Sequence, residues 1–223
     1  MRMTWNLPNT LTLLRLLAAP GVAIMFLYFS RPYADWFALA LFVTATVTDF
    51  IDGYLARAWK QESKFGAMLD PIADKAMVII ALLVITGFSG MNPWILLPAT
   101  VIMFREVFVS GLREFLGDTA GTLKVTNLAK WKTTVQMTSL AVLFANGAFE
   151  HFIIEQTIGM DEATIEGIVT GAIPDEIGLG WKYAGWDWTW YGGIVLLWIA
   201  AFLTFVTGWD YFQKAMPYLK GSK

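Results

Sequence analysis

The sequence predicts an all-α, polytopic membrane protein with six transmembrane helices. Its 223 residues are 57% hydrophobic and have a mean hydropathy of +0.54. Only 15% of them are charged, whereas a soluble domain carries about 25%. Stretches of about 20 mostly apolar residues, long enough to cross a bilayer as a helix, recur along the chain. These three observations favour helices in lipid over a soluble fold.

Six apolar segments supply the predicted spans, and turn residues separate several of them. Arg31-Pro32 follows the first segment, residues 89–93 (SGMNP) follow the third, and Gly117-Asp118 follows the fourth. No internal repeat interrupts the pattern, so we expect one membrane-embedded catalytic domain over residues 1–223. The predicted spans are 10–29, 35–57, 67–89, 93–115, 132–150 and 189–211.

The beginning of the chain does not have the features of a cleaved signal peptide. Arg15 lies inside the first apolar run, and no small-residue cleavage site follows a short apolar core. Residues 1–9 are therefore predicted to be an interfacial segment that leads into a retained first helix.

Charge asymmetry predicts the orientation of the spans. The second, third and fourth segments become polar at ends that fall on a common side if the spans alternate in direction. With six spans, all of the 16 basic residues except Arg31 and Lys182 fall on the side that holds both termini. The positive-inside rule places that side in the cytoplasm. The outer stretch 150–188 is acidic and ends in tryptophans, and we expect a solvated connector, in which "DEATIEGIVTGAIP" can form a short amphipathic helix.

The composition also excludes several classes of function. The chain has no cysteine and one histidine, so thiolate zinc sites, cysteine nucleophiles and His-rich metal sites are excluded. A metal would be held by oxygen, which suits Mg²⁺, Ca²⁺ or Mn²⁺. The net charge of −2 gives no reason to expect nucleic acid.

Four aspartates at the junction of the second and third segments are the strongest functional signal. Asp49 and Asp52 are three residues apart and share one helical face. Asp70 and Asp74 follow Gly66 at intervals of four and share another. Carboxylates at membrane depth are expensive and usually mark a functional site. Because four of them repel one another, two divalent ions about 4 Å apart would satisfy the group and could clamp a phosphate. Aspartates in cytoplasmic loops, or an ion pathway in a transporter, are the alternatives.

The same stretch matches a known signature, D-x-x-D-G-x-x-A-R-x8-G-x3-D-x3-D, at every fixed position. In this it resembles the CDP-alcohol phosphotransferase family, whose members are six-helix membrane enzymes, mostly homodimers, that transfer a group from a CDP-linked donor to an alcohol and release CMP. The resemblance implies two Mg²⁺ or Mn²⁺ ions, with Asp74 as the base that deprotonates the acceptor. The implied metal ligands are Asp49, Asp52, Asp70 and Asp74, and the implied CDP site contains Asp49, Asp52, Gly53, Ala56, Arg57 and Gly66. Arg57 supplies a fork suited to phosphate.

The first helix holds further candidates for the donor site. Arg15 either extends to the membrane interface or contacts the cytidine or pyrophosphate together with Asn9 and Thr10. Both alternatives stay open at the level of sequence.

Basic residues after Phe104 predict an anionic acceptor. Arg105 and Arg113 are eight residues apart on one helix, and Lys130 and Lys132 begin the next. These four side chains suit the phosphate of glycerol 3-phosphate, although some are explained equally well by the positive-inside rule. Glu106 and Glu114 follow the two arginines and either orient them or are simple surface charges.

Further resemblance over about residues 5–150, in "NLPNTLTLLRLLAAP", "FREVFVSGLREFLG" and "KVTNLAKWKTTVQM", is greatest to the bacterial members that use glycerol 3-phosphate. It implies transfer of a phosphatidyl group from CDP-diacylglycerol to glycerol 3-phosphate, in a homodimer in the bacterial inner membrane. A family member that uses inositol phosphate or serine, or a carboxylate-lined transporter, is the alternative.

Overall fold

The computed structural model of the protein describes residues 7–31, 33–58, 64–117 and 127–220. Within these ranges the chain forms seven α-helices and no strand, which confirms the all-α prediction. The side chains of residues 49–58 lie outside the described part. The helices are α1 (Leu7–Tyr28), α2 (Tyr33–Ala58), α3 (Lys64–Phe88), α4 (Pro93–Leu116), α5 (Asn127–Thr157), α6 (Glu162–Thr170) and α7 (Leu179–Leu219).

Four helical stretches among the described residues are long and apolar enough to cross a membrane. They belong to α1, α4, α5 and α7, and α2 contributes a shorter apolar helix, Tyr33–Thr48. Each of the six predicted spans corresponds to one helix, although the predicted spans 10–29 and 67–89 extend one residue beyond the ends of α1 and α3. The four long stretches are Asn9–Tyr28, Pro93–Leu116, Leu128–Thr157 and Leu179–Leu219.

Local sequence explains why α4 begins and ends where it does. The side chain of Asn92 accepts a hydrogen bond from the backbone N–H of Trp94 at 2.9 Å, and Pro93 fills the first helical position, where its missing N–H costs nothing. Gly117 ends the helix with φ 52°, and its N–H donates to the carbonyls of Arg113 and Glu114. The predicted breaks before and after this helix are confirmed.

The chain divides into two compact units, and three helices contribute to both. Unit 1 contains residues 1–85 and 140–193, which include α1, α2, α6 and most of α3. Unit 2 contains residues 86–139 and 194–223, which include α4, the first part of α5 and the second part of α7.

In unit 1, α1 packs against α2. Ala34 and Ala38 of α2 are fully buried, and Phe42 continues the same face at the next turn. On α1, a Cβ at Gly21 would lie 3.1 Å from Leu41 of α2. Close approach through small residues is the usual way that helices associate where lipid surrounds them.

An ion cluster around the buried carboxylate of Asp35 joins Arg31, which follows α1, to α5 in unit 1. Arg31 donates two hydrogen bonds to Asp35, at 2.8 and 2.9 Å, and one to Glu150 at 3.0 Å. Hydrogen bonding to Asp35 raises the pKa of Arg31. Gly147 of α5 makes room for this arrangement, because a Cβ there would lie 2.2 Å from Asp35 Oδ1.

The acidic stretch 150–188 is mostly helical, and it includes the short helix that the sequence suggested. Its chain begins inside α5, forms α6 and continues into α7. Asp175 caps α7, because its carboxylate accepts hydrogen bonds from the N–H groups of Leu179 and Gly180, both at 2.8 Å. These hydrogen bonds lower the pKa of Asp175, and the bond from Gly180 has the largest effect. The helical boundaries here are wider than predicted because water-exposed ends continue beyond the apolar spans.

Candidate active site

The second carboxylate pair lies on one face of α3, as its spacing predicted. Asp70 and Asp74 are one turn apart, and their side chains are 49% and 48% exposed. Gly66, one turn earlier, is buried. The two carboxylates therefore remain accessible to solutes, while another face of the same helix is buried at Ala73 and Met77.

A buried polar stripe on α1 faces these carboxylates. Asn9, Thr12 and Arg15 follow at intervals of three and are 4%, 2% and 3% exposed. Thr12 donates from its hydroxyl to Asp70 Oδ1 at 2.7 Å. Arg15 donates from Nη1 to Asp74 Oδ1 at 2.7 Å, and its Nη2 lies 3.8 Å from Asp70 Oδ1.

The guanidinium of Arg15 offsets the repulsion between two carboxylates one turn apart. A buried arginine is tolerated when it is paired, and Arg15 is paired with Asp74. Because both partners are fixed on helices, the contacts also orient the carboxylates. Arg15 thus contacts the aspartates directly, a role that neither sequence-based alternative included.

The first carboxylate pair belongs to α2, but its side chains lie outside the described residues. This applies to Asp49 and Asp52 and equally to the predicted donor-site residues Gly53, Ala56 and Arg57. Among the side chains that are described, no three metal-binding groups cluster. Asp70 and Asp74 fit a divalent cation by their chemistry, because Mg²⁺ and Mn²⁺ prefer accessible carboxylate oxygens.

The predicted donor-site residues of the first helix lie in the same unit as this pair. Asn9 and Thr10 occupy the first turn of α1, where Asn9 is buried and Thr10 is partly exposed.

Two of the four predicted acceptor residues converge on a buried glutamate in unit 2. Lys132 of α5 and Arg105 of α4 both pair with Glu106 Oε1, with Arg105 Nη1 at 3.3 Å. Glu106 and Lys132 are 8% and 6% exposed. The carboxylate thus brings the two cations together.

The other two predicted acceptor residues have different surroundings. The Arg113 guanidinium lies over the Tyr211 ring, 5.3 Å from its centroid, which is a cation–π contact. Lys130 and Glu114 are exposed. Of the two glutamates in question, the structure therefore assigns an arginine-orienting position to Glu106.

Sequence reasoning missed Thr12 and Gly208. The signal for Thr12 was available, because Asn9, Thr12 and Arg15 form a polar series at intervals of three inside an apolar run. Gly208 of α7 lies against Arg105, and a Cβ there would be 2.9 Å from Arg105 Cγ. No local pattern identifies that contact, since it joins α4 to α7.

The helical fold and the apolar composition indicate a helical membrane protein, and the carboxylate pair on α3 is its candidate active site. A family model described as CDP-alcohol phosphatidyltransferase matches residues 5–170. The chain belongs to this family, which confirms the resemblance.

Relatives with curated names align over most or all of the chain. A protein from Cereibacter sphaeroides is 62% identical over 99% of this chain and 100% of its own length. One from Rickettsia bellii is 35% identical over 98% of this chain and 99% of its own length. One from Escherichia coli is 39% identical over 63% of this chain and 78% of its own length. All three are named CDP-diacylglycerol–glycerol-3-phosphate 3-phosphatidyltransferase.

Proposed function

We propose that this protein transfers the phosphatidyl group of CDP-diacylglycerol to glycerol 3-phosphate, giving phosphatidylglycerophosphate and CMP. The observation that carries the proposal is the half-exposed Asp70–Asp74 pair, held by α1, in a chain that aligns end to end with a relative named for this reaction. Family membership supports the reaction class, and the named relatives support the choice of acceptor.

The donor is bound by the aspartates of α2 and α3. Asp49, Asp52, Asp70 and Asp74 would hold two divalent cations, Mg²⁺ or Mn²⁺, which supply positive charge against the donor pyrophosphate when bound. Arg15 and Thr12 orient the α3 carboxylates through the contacts described above. The remaining donor-site residues are Asn9, Thr10, Gly53, Ala56, Arg57 and Gly66.

Asp74 is the general base. Its carboxylate takes the proton from the acceptor hydroxyl of glycerol 3-phosphate. The hydroxyl oxygen attacks the phosphorus that carries diacylglycerol, a new P–O bond forms, and the bond to the CMP oxygen breaks. The products are phosphatidylglycerophosphate and CMP, and the proton remains on the base until water or buffer removes it.

Unit 2 supplies the cations that recognise the acceptor. Arg105, Arg113, Lys130 and Lys132 neutralise the phosphate of glycerol 3-phosphate and hold the substrate in position. Arg105 and Lys132 are the central pair, because Glu106 already brings them together.

The enzyme works at the inner face of the bacterial cytoplasmic membrane. The six-span arrangement, with both termini in the cytoplasm, follows from the distribution of basic residues. The lipid donor arrives within the bilayer and the water-soluble acceptor from the cytoplasm. By family resemblance, the protein is a homodimer.

CMP release with different acceptors tests the reaction. Purified protein in detergent receives CDP-diacylglycerol and Mg²⁺ with glycerol 3-phosphate, inositol phosphate or serine. We expect CMP with glycerol 3-phosphate. CMP with inositol phosphate or serine alone would overturn the acceptor, and no CMP with any acceptor would favour the transporter alternative.

Asp74→Asn tests the general base. The variant keeps the size of the side chain but removes its basicity, so we expect turnover to fall by at least about 100-fold. Asp187→Asn, at an exposed aspartate, is the matched control and should keep wild-type activity. A fully active Asp74→Asn variant would remove Asp74 from this role.

A further inference from the structure

Glu106 is a buried carboxylate between two cations that come from different helices. It belongs to α4 and its side chain is 10% exposed. Lys132 reaches it from the second turn of α5, and Arg105 reaches it from the adjacent position on α4. Lys132 has a side-chain exposure of 8%, so the pair is shielded from water. An ion pair that is both shielded and hydrogen-bonded is fixed in geometry, unlike an exposed pair.

One donor of this cluster is left for a ligand. The Nε of Arg105 is buried and has no hydrogen-bond partner among the described residues. A buried N–H group without a partner is costly. Because this N–H belongs to a guanidinium, the ligand that suits it is an anion, such as the phosphate of the acceptor.

Gly208 defines the other wall around Arg105. A Cβ at this position of α7 would lie 2.9 Å from Arg105 Cγ and 3.6 Å from its Nε. Real Cβ atoms essentially never approach other atoms that closely, so a methyl group here would displace the arginine stem. Gly111, on the same helix as Arg105, offers a contrast because a Cβ there meets nothing within 4 Å.

We propose that Glu106 and Gly208 are positioning residues that set the place of Arg105 and Lys132 for recognition of the acceptor phosphate. Glu106 draws the two cations to one point, and the absent side chain of Gly208 lets the Arg105 stem lie against α7. Neither residue contacts the substrate. This inference rests on the proposed function and adds residues that the predicted acceptor set lacked.

Steady-state kinetics with both substrates tests the proposal. Glu106→Gln keeps the shape of the side chain but removes the charge that holds the cations. We expect a rise of about 10-fold in the KM for glycerol 3-phosphate, which corresponds to the loss of one charge-assisted contact. The KM for CDP-diacylglycerol should stay within about twofold, because Arg105, Glu106 and Lys132 are not among the proposed donor-site residues. Glu106→Asp restores the charge on a shorter side chain, so its KM for glycerol 3-phosphate should lie between the wild-type value and that of Glu106→Gln.

Gly208→Ala tests the role of Gly208 independently, because it adds one methyl group and changes no charge. We expect its KM for glycerol 3-phosphate to rise about 5-fold to 10-fold, although alanine favours the helix more than glycine does. Gly111→Ala has the same propensity gain without the contact, so its KM values should equal those of the wild type. Because KM does not depend on the concentration of active protein, partial unfolding of a variant would not imitate the effect.

The outcomes distinguish a failure of the two positioning roles from a failure of the proposed function. A KM for glycerol 3-phosphate that stays within twofold in Glu106→Gln, or KM values that rise equally for both substrates, would overturn the role of Glu106. The same results in Gly208→Ala would overturn the role of Gly208. If the wild type uses another anionic acceptor, the proposed acceptor is wrong and the comparison applies to the KM of that acceptor. Wild-type turnover with serine alone, or no turnover with any acceptor, would overturn both the proposed function and the positioning roles.

Discussion

At the scale of single residues, Arg15 shows how a costly group can be stabilised by its partners. It lies 3% exposed within an apolar helix, where an unpaired guanidinium would be strongly unfavourable. Its contacts with Asp74 at 2.7 Å and with Asp70 at 3.8 Å offset that cost. Thr12 adds a neutral donor to Asp70. The two residues hold the α3 carboxylates from α1, as outer partners orient the ligands in metal sites.

If Asp70 and Asp74 hold divalent cations as proposed, Arg15→Lys should lower kcat about 10-fold to 100-fold, the usual effect of losing an outer partner of a metal site. Lysine keeps the charge but carries one nitrogen, so it cannot face both carboxylates as the guanidinium does. The binding of Mn²⁺, followed by electron paramagnetic resonance without substrates, should weaken as well. Unchanged kcat and unchanged Mn²⁺ affinity would show that Arg15 has only a packing role.

Thr12→Val tests the hydrogen bond to Asp70, and Thr100→Val on α4 is its matched control. Valine keeps the shape of threonine and removes the hydroxyl that donates to Asp70. Thr100→Val removes a hydroxyl that donates only within its own exposed turn, to the carbonyl of Leu96. We expect weaker Mn²⁺ binding in the first variant and no change in the second.

What could be predicted at this scale was the spacing along one helix. Asp70 and Asp74 were assigned to a shared face because four residues make about one turn, and the structure confirms the face. Their contacts with Thr12 and Arg15 span 58 and 59 residues of sequence. No local pattern encodes such a distance, although the buried polar series on α1 indicated that this face has a partner.

At the scale of secondary-structure elements, the predicted spans located the helices but underestimated two of them. The predicted spans 132–150 and 189–211 correspond to α5 (Asn127–Thr157) and α7 (Leu179–Leu219). An apolar run indicates which part of a helix lies in lipid, whereas the ends of the helix depend on capping. Asp175 begins α7 well ahead of the apolar stretch by accepting from two backbone N–H groups.

Gly147→Ala should destabilise the packing of α5 against the turn between α1 and α2. The new Cβ would lie 2.2 Å from Asp35 Oδ1 and 2.6 Å from Arg31 Nη2. Asp35 is buried and fastened to Arg31, so it has little room to move. Overpacking of this kind costs about 1–3 kcal/mol, partly offset by about 1 kcal/mol of helix propensity.

Thermal unfolding in detergent measures the effect against a glycine that has space. A Cβ at Gly192 of α7 meets nothing within 4 Å, so Gly192→Ala should match or exceed the wild-type Tm. Gly147→Ala should have a lower Tm than both. If the two variants unfold at the same temperature, the ion cluster tolerates the methyl group and does not fix the turn.

At the scale of the whole molecule, each compact unit contains a cluster of polar side chains on helices that are otherwise mostly apolar. Unit 1 holds the α1 stripe against Asp70 and Asp74, and unit 2 holds Glu106 with Arg105 and Lys132. The sequence indicated that Asp70, Asp74 and the basic residues after Phe104 are functional, since ionisable residues inside apolar segments usually mark function. It offered Glu106 as a partner of Arg105 but could not indicate that Lys132 shares this carboxylate, because Lys132 comes from another helix.

The direction in which the helices cross the membrane can be tested directly, because the chain has no native cysteine. Single substitutions at Ser30, Ala172 and Ser222 each introduce one thiol without a competing one. With six spans and cytoplasmic termini, Ser30→Cys and Ala172→Cys face outward, whereas Ser222→Cys faces the cytoplasm. In intact spheroplasts, a membrane-impermeant maleimide should label the first two, and it should label the third only after permeabilisation.

Because Ser30 precedes α2 and Ala172 precedes α7, labelling of only one of them would mean that the number of crossings between them is odd. That result would contradict the six-span arrangement, and labelling of Ser222→Cys alone in intact cells would reverse the orientation that the basic residues predict.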